Sequence, residues 1–72
     1  MWVEIEADSA IAGHSIGTSR LRSRTNASIV GIASGPSVIV NPGPEEMLRP
    51  GDRIAIVGQP DHIREAEKLL RV

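Results

Sequence analysis

The sequence predicts one small α+β domain in which a small mixed β-sheet carries helices in the order β-α-β-β-β-α. Three observations lead to this prediction. The chain has 72 residues, which suffice for a single domain with a thin core. Its apolar residues are mostly Ile, Val, Leu and Ala, and β-branched side chains favour strands over a helical bundle. Its apolar positions alternate in some segments and repeat at helical spacing in others, so we expect a single domain over residues 1–72.

The first strand and the first helix are predicted in the N-terminal part of the chain. Residues 2–7 alternate between apolar and outward-facing side chains, which is typical of a half-buried strand. Residues 8–13 are small or polar and predict a loop. Ser15 can then cap a short helix that ends near Asn26.

A hairpin is predicted in the middle of the chain. Residues 29–33 are apolar on both faces, which indicates a strand covered on both sides, and we expect a second subunit to supply one cover. Residues 34–36 are a turn signal, and residues 37–40 follow as the second strand of the hairpin. The Asn-Pro-Gly-Pro segment at residues 41–44 predicts a stiff, irregular loop.

A final strand and a final helix are predicted in the C-terminal part. Pro50 and Gly51 suit the central positions of a type II turn, and residues 53–58 form the last predicted strand. The last helix starts with Pro60 in its first turn and runs to about Leu70. Its predicted buried stripe consists of Ile63, Ala66 and Leu70.

The charge distribution indicates a place where an anion could bind. The net charge is −1, but no Asp or Glu occurs between Asp8 and Glu45, and Arg20, Arg22 and Arg24 all lie in that interval. Such a segment can hold an anionic ligand. The alternative is that the three arginines only solvate an exposed turn.

Signatures of enzymes and of metal sites are absent from the sequence. His14 and His62 have Ser or Asp neighbours, but adjacent residues do not give triad geometry, and the histidines form no ligand cluster at metal spacing. The chain has no cysteine, and its glycines fit neither the dinucleotide nor the P-loop spacing. We therefore expect a protein that is not an enzyme and that has no metal or cofactor.

Binding to nucleic-acid polymers and insertion into membranes are also unexpected. The chain lacks a net positive charge and has no Phe or Tyr on which bases could stack. Its apolar runs are far shorter than the roughly 20 residues that cross a bilayer, and no secretory signal is visible. These features predict a cytoplasmic location.

Four motifs follow one another in an order and spacing that are more specific than any one of them alone. They are AGHSIG at residues 12–17, LRSRT at 21–25, VNPGP at 40–44 and LRPGDRI at 48–54. Through these motifs the chain resembles the RCK_C (TrkA-C) family, and the resemblance covers nearly the whole sequence. The resemblance implies a dimeric C-terminal regulatory domain of bacterial potassium channels, potassium transporters or cation/proton antiporters, located at the inner face of the membrane.

The resemblance also implies a ligand site. In several members of the family the dimer interface binds cyclic di-AMP, with the adenines against aliphatic residues and the phosphates near arginine. Carried onto the matching positions, this implies Ile16, Arg22, Ser28, Ile29 and Pro44 as ligand-binding residues. Ser28 departs from the pattern, because ligand-binding members often have asparagine there.

Two functions follow from the resemblance. The first is a cytosolic regulatory domain of a potassium or cation transport system, which senses cyclic di-AMP or another small anionic ligand at a homodimer interface. Its partners would be a second copy of itself and a membrane channel or antiporter subunit. The alternative is a purely structural dimerisation domain with no ligand.

Overall fold

Four strands and three helices make up the chain. The computed structural model describes residues 1–71, with Arg71 described by its backbone only. The elements are β1 (Trp2–Glu4), α1 (Ile16–Ser19), α2 (Leu21–Thr25), β2 (Ser28–Ser34), β3 (Ser37–Val40), β4 (Arg53–Val57) and α3 (Pro60–Arg71). The predicted α+β class is confirmed, with two short helices where the sequence predicted one.

The strands form one sheet in the order β1-β4-β2-β3. All three pairings are antiparallel, so the predicted mixed sheet is antiparallel throughout. Ile54 of β4 lies opposite Val3 on one side and Ile32 on the other, and these three side chains are buried together. A β-bulge between Ile29 and Gly31 shifts the register of β2 against β4. Bulges commonly redirect side chains near functional sites.

The core lies on the face of the sheet that α2 and α3 cover. Of the stripe predicted for α3, Ala66 and Leu70 are fully buried, and Ile63 is half-buried and packs against the core. The core consists of Val3, Ile5, Ile11, Leu21, Ala27, Ile32, Leu48, Ile54, Ile56, Ala66 and Leu70. All of these core residues are aliphatic, as the sequence predicts.

Residues of the same chain cover both faces of the central part of β2. Gly31, Ile32 and Ala33 are buried without a second subunit. The Trp2 ring reaches across the outer face, where its Cη2 atom lies 3.5 Å from the position that a Cβ on Gly31 would occupy. The centre of β2 is therefore covered on its outer face by Trp2 from β1, and the cover that we expect from a second subunit is not needed to bury these residues.

The first strand is shorter than predicted. β1 ends at Glu4, whereas the alternating pattern continues to Ala7. The backbone turns after the strand, and the Ser9 amide donates a hydrogen bond of 3.0 Å to the Glu6 carbonyl. Ala7 lies exposed within this turn.

The predicted helix between residues 15 and 26 is divided at Arg20. Arg20 adopts a left-handed conformation with φ of 54°, which ends α1 and begins α2. The Ser19 hydroxyl stabilises the break, because it donates to the Ile16 carbonyl at 2.7 Å and accepts from the Leu21 amide at 3.3 Å. Serine competes with helical hydrogen bonds in this way more readily than an apolar residue.

The predicted turns are confirmed. Gly51 has φ of +91°, and the Asp52 amide donates to the Arg49 carbonyl at 3.1 Å, as in the type II turn expected at Pro50 and Gly51. The β2–β3 hairpin turns at Gly35 with φ of +57°. Both turns use the freedom of glycine at positive φ.

The last helix begins as predicted. Pro60 is its first residue and Asp61 lies in its first turn, where a carboxylate faces the positive end of the helix dipole. The His62 Nδ1 atom accepts a 3.3 Å hydrogen bond from the Gln59 amide, so His62 caps the helix. None of the helices in the described chain has the length and apolar composition needed to cross a bilayer.

Candidate functional site

The first wall of the candidate site is the start of α1. The Ser15 hydroxyl accepts from the Thr18 amide at 3.2 Å, and the Ser15 amide donates to the Thr18 hydroxyl at 3.0 Å. This reciprocal capping box fixes the point at which the helix begins. Ile16 follows as the first helical residue and is half-buried. The Ser15 hydroxyl therefore serves the helix cap.

The proline-rich loop forms the second wall. The Pro44 carbonyl accepts from the Gly17 amide at 2.8 Å, and the Glu46 carbonyl accepts from the Ile16 amide at 2.9 Å. A Cβ on Gly17 would lie only 3.2 Å from the Pro44 carbonyl oxygen, which is tighter than an ordinary contact. Glycine at position 17 therefore permits the close approach that holds Pro44 against α1.

The third wall is the connection from α2 into β2. The Thr25 hydroxyl donates to the Leu21 carbonyl at 2.7 Å and accepts from the Ala27 amide at 3.1 Å. Asn26 lies between them in a left-handed conformation with φ of 65°, which reverses the chain direction. Ser28 then begins β2 directly after the turn.

These three walls enclose a cavity of about 630 Å³, which we call the α1–β2 cavity. All five residues that the family resemblance implied line it together. They are Ile16, Arg22, Ser28, Ile29 and Pro44. Their role in binding a ligand stays a prediction, but their assembly around one cavity is a property of the fold. A volume of this size lies in the range of small-molecule sites.

Sequence reasoning missed several other residues of this cavity. The most informative are Gly17, Arg20, Asn26 and Pro42. Arg20 had a signal, since it lies in the segment without carboxylates, and Pro42 belongs to the same motif as Pro44. Asn26 had no signal, because its approach to the cavity depends on the left-handed turn after α2. The third arginine of the basic segment, Arg24, does not line the cavity.

The charges around the cavity are all of one sign. Arg20 and Arg22 both line it, and none of its lining residues is Asp or Glu. Over residues 1–71 neither arginine takes part in an ion pair. A smaller cavity of about 170 Å³ differs, because the carboxylates of Glu45, Glu46 and Asp52 outnumber its one guanidinium, that of Arg49. An anion is therefore favoured in the α1–β2 cavity.

The side chains around the cavity are of the kinds that bind an anionic ligand. They provide guanidinium groups, hydroxyls, one carboxamide and aliphatic surface, and no His, Cys, Asp or Glu lines the cavity. Within the described residues no group of three or more His, Cys, Asp or Glu could hold a metal ion. Guanidinium groups make strong charge-assisted hydrogen bonds to phosphates and carboxylates.

A family model and a curated relative match almost the whole chain. The model describes the TrkA-C domain and matches residues 1–71. The relative is a protein of Methanocaldococcus jannaschii named "Probable potassium channel protein 2", which is 36% identical over 67 residues. The match covers 93% of this chain and 20% of that protein, so the chain spans about a fifth of its length.

Solved structures share both the fold and part of the sequence. The RCK_C domain dimer of S. agalactiae BusR in complex with c-di-AMP has a TM-score of 0.90 and 31% identity, and the match covers 97% of this chain and 86% of that one. The RCK_C domain of the potassium transport protein KtrA with c-di-AMP has a TM-score of 0.78 and 30% identity, with coverage of 93% and 79%. BusR has also been solved with promoter DNA, and this chain covers 34% of that longer chain. On these matches the chain belongs to the TrkA-C domain family, also called RCK_C.

Proposed function

We propose that this domain is a regulatory module that binds cyclic di-AMP, or another small anionic nucleotide, in the α1–β2 cavity at a homodimer interface. One observation carries the proposal. The cavity places Arg20 and Arg22 beside aliphatic walls and contains no carboxylate. An anion with an apolar, planar part is the ligand that suits both features.

The aliphatic walls are suited to a purine. Ile16, Ile29 and Pro44 offer rigid apolar surface against which a flat ring can lie. None of the residues that line the cavity is aromatic, so aliphatic contact is the means available there for holding a base. Arg22 can bind a phosphate through two parallel hydrogen bonds at the same time.

A dimer would present two such cavities around a two-fold axis. Cyclic di-AMP has two equivalent halves, and a ligand of this symmetry matches an isologous interface. The BusR and KtrA domains, which are 31% and 30% identical to this chain, were solved with c-di-AMP. Their complexes support the choice of this ligand over other anionic nucleotides.

Regulation would follow from a change in how the two protomers are arranged. A ligand shifts the equilibrium between two arrangements of the protomers only by as much as its affinities for the two arrangements differ. We propose a cytoplasmic domain whose arrangement is sensed by a membrane cation channel or antiporter subunit. The match to a fifth of the length of the potassium channel protein from M. jannaschii supports a channel subunit as the partner.

The proposal does not extend to catalysis or to nucleic-acid polymers. No side chain of the cavity provides a general base, and the chain has a net charge of −1. We therefore expect this domain by itself neither to turn over a nucleotide nor to bind DNA or RNA.

Isothermal titration calorimetry of the purified chain tests the proposal. Cyclic di-AMP should bind with a dissociation constant below about 100 μM, which corresponds to roughly −5.5 kcal/mol. It should bind about 100-fold more tightly than AMP, because its second half enters the partner cavity at high effective concentration. Absence of binding at 100 μM, or equal affinity for AMP, would contradict the proposal.

The second candidate function is a structural dimerisation domain without a ligand. Ser28 favours it, because the serine hydroxyl has a shorter reach than the asparagine often found at this position in ligand-binding members of the family. In that case the chain would form a homodimer whose stability does not change when cyclic di-AMP, other nucleotides or divalent cations are added. The same titration distinguishes the two functions.

A further inference from the structure

Asn26 brings a free carboxamide to the α1–β2 cavity. Its backbone amide closes α2 by donating to the Arg22 carbonyl at 2.7 Å, and its φ of 65° takes the chain away from the helix. The residue is exposed and lines the cavity. Its side chain makes no hydrogen bond within residues 1–71, so its donor and acceptor are both available to a ligand.

The other side chains of the cavity cannot recognise the edge of adenine equally well. Guanidinium groups bind phosphates or the two guanine acceptors O6 and N7, but they offer no acceptor to the adenine amino group. Aliphatic walls contact the faces of a ring without distinguishing one purine from another. The Ser23 hydroxyl donates to the Arg20 carbonyl at 3.1 Å. The Ser28 hydroxyl provides donor and acceptor at a single oxygen atom. A carboxamide holds its donor and acceptor side by side in one plane.

That arrangement matches adenine. Adenine presents the N6 amino group as a donor beside N7 as an acceptor, and an asparagine carboxamide binds both together. Guanine presents two acceptors, O6 and N7, at the corresponding edge. A carboxamide oriented for adenine would therefore oppose one of these acceptors with its own carbonyl oxygen.

We propose that Asn26 recognises the base edge of the ligand and determines the preference for adenine over guanine. The inference rests on the proposed function, since it needs a purine nucleotide in the α1–β2 cavity. It assigns the discrimination to a position two residues before Ser28, to a residue that the left-handed turn after α2 places at the cavity.

The left-handed conformation by itself could also explain why asparagine occurs at position 26, because asparagine tolerates positive φ better than most residues. Asn41 provides a control for this explanation. It is also exposed and left-handed, with φ of 51°, but it does not line the cavity. Glycine accepts both conformations, so Asn26→Gly and Asn41→Gly remove the carboxamides without disturbing the backbone.

Calorimetric titration of the wild-type chain and both variants with cyclic di-AMP and cyclic di-GMP tests the inference. In Asn26→Gly the preference for cyclic di-AMP should fall by at least about 10-fold, mainly because cyclic di-AMP binds less tightly. In Asn41→Gly it should be unchanged. Asn26→Asp, which replaces the donor nitrogen with an acceptor, should lose the preference as well.

The outcomes separate this inference from the proposed function. If the wild-type chain binds cyclic di-AMP and Asn26→Gly keeps the full preference, the role of Asn26 is overturned and the proposed function stands. If the wild-type chain does not bind cyclic di-AMP, both are overturned. Circular dichroism spectra that are identical for all variants would establish that altered binding does not arise from a change in fold.

Discussion

Arg22 and Arg24 lie two positions apart on the same helix, yet only Arg22 lines the α1–β2 cavity. We expect Arg22→Ala to weaken binding of cyclic di-AMP by about 10- to 100-fold, because it removes a charge-assisted contact with a phosphate. Calorimetric titration measures this loss.

Arg24→Ala is the matched control for that prediction. It removes the same charge from the same helix, but from a side chain outside the cavity. We expect a change of less than about threefold, since exposed charges at a distance are screened by salt. Equal losses for the two variants would mean that the arginines act only through the overall charge of the segment.

Gly17 determines how closely the proline-rich loop approaches α1. A Cβ at this position would lie 3.2 Å from the Pro44 carbonyl oxygen and 3.3 Å from the Pro44 Cβ. We expect Gly17→Ala to shift Pro44 by a few tenths of an ångström and to weaken binding of cyclic di-AMP several-fold, because the purine would lose its close contact with the loop. The measurement is again calorimetric titration.

Gly31→Ala is the corresponding control. Gly31 lies within the sheet, and a Cβ there would meet Ala55 and Trp2 at ordinary contact distances of 3.5 Å. We expect this variant to bind cyclic di-AMP as the wild-type chain does. If Gly17→Ala also binds normally, the contact between α1 and the loop has no part in shaping the site.

Among the secondary-structure elements, the break between α1 and α2 determines how the arginines of the site are placed. In one continuous helix Arg20 and Arg22 would project about 200° apart, since each residue advances by about 100°. The left-handed conformation of Arg20 reorients α2, and both arginines then line one cavity. The break is costly for a residue with a Cβ, by about 1 to 2 kcal/mol.

This cost leads to a prediction in which stability and binding change in opposite directions. We expect Arg20→Gly to raise the thermal midpoint by a few degrees, because glycine adopts positive φ without strain and about 1 kcal/mol shifts a domain of this size by 4–8 °C. The same variant should bind cyclic di-AMP less tightly, since one guanidinium is lost. Scanning calorimetry and titration measure the two effects.

Arg20→Ala separates the two contributions. It removes the guanidinium but keeps a Cβ at positive φ, so binding should weaken and the thermal midpoint should not rise. If the thermal midpoint also rises in Arg20→Ala, the gain in stability comes from reduced charge repulsion among the arginines and not from relief of backbone strain.

The same break shows where prediction from the sequence reached its limit. Helical spacing and the Ser15 cap located the start of the helix correctly, but arginine is a good helix former and gives no local signal for a stop at position 20. The break depends on the Ser19 hydroxyl, which replaces helical hydrogen bonds with its own. The end of β1 was missed for a similar reason, since the Glu6–Ser9 turn competes with an alternating pattern that continues to Ala7.

The candidate site could be predicted only in part, because the position of some of its residues also depends on the local backbone conformation. Ile16, Arg22 and Pro44 were implied by sequence motifs, and their meeting at one cavity follows from the hydrogen bonds between α1 and the loop. Asn26 could not be found in this way, because its position depends on a backbone conformation and not on a motif. By contrast, proline fixes φ at Pro50 and Pro60, and Gly51 accepts the positive φ that a type II turn needs, so the elements that they define were predicted correctly.

Across the whole molecule, four exposed apolar side chains lie on the sheet face opposite the core. Trp2 is 51% exposed, and Val38, Val40 and Val57 are 60%, 72% and 50% exposed. They alternate along their strands with residues such as Val3 and Ile56, which point into the core. A cluster of exposed apolar residues on a small domain is a common sign of an interaction surface.

We expect the chain to form a homodimer in solution. Light scattering at micromolar concentration should give twice the monomer mass of 7.7 kDa. The thermal midpoint should rise with protein concentration, because association stabilises only the folded chain. A mass of one chain that does not depend on concentration would contradict the dimer and the shared ligand site with it.

The order of the strands has a consequence for how the domain folds. β4 is the last strand along the chain, but it lies between β1 and β2 in the sheet. Until β4 is in place, β2 is paired only with β3, and Ile29 lacks its partner Ile56. Pairing over such a sequence separation has a high entropic cost and forms slowly. The part of the α1–β2 cavity that Ser28 and Ile29 form is therefore supported by β4 only after this late pairing. We expect a chain still emerging from the ribosome not to hold the ligand before β4 has been made.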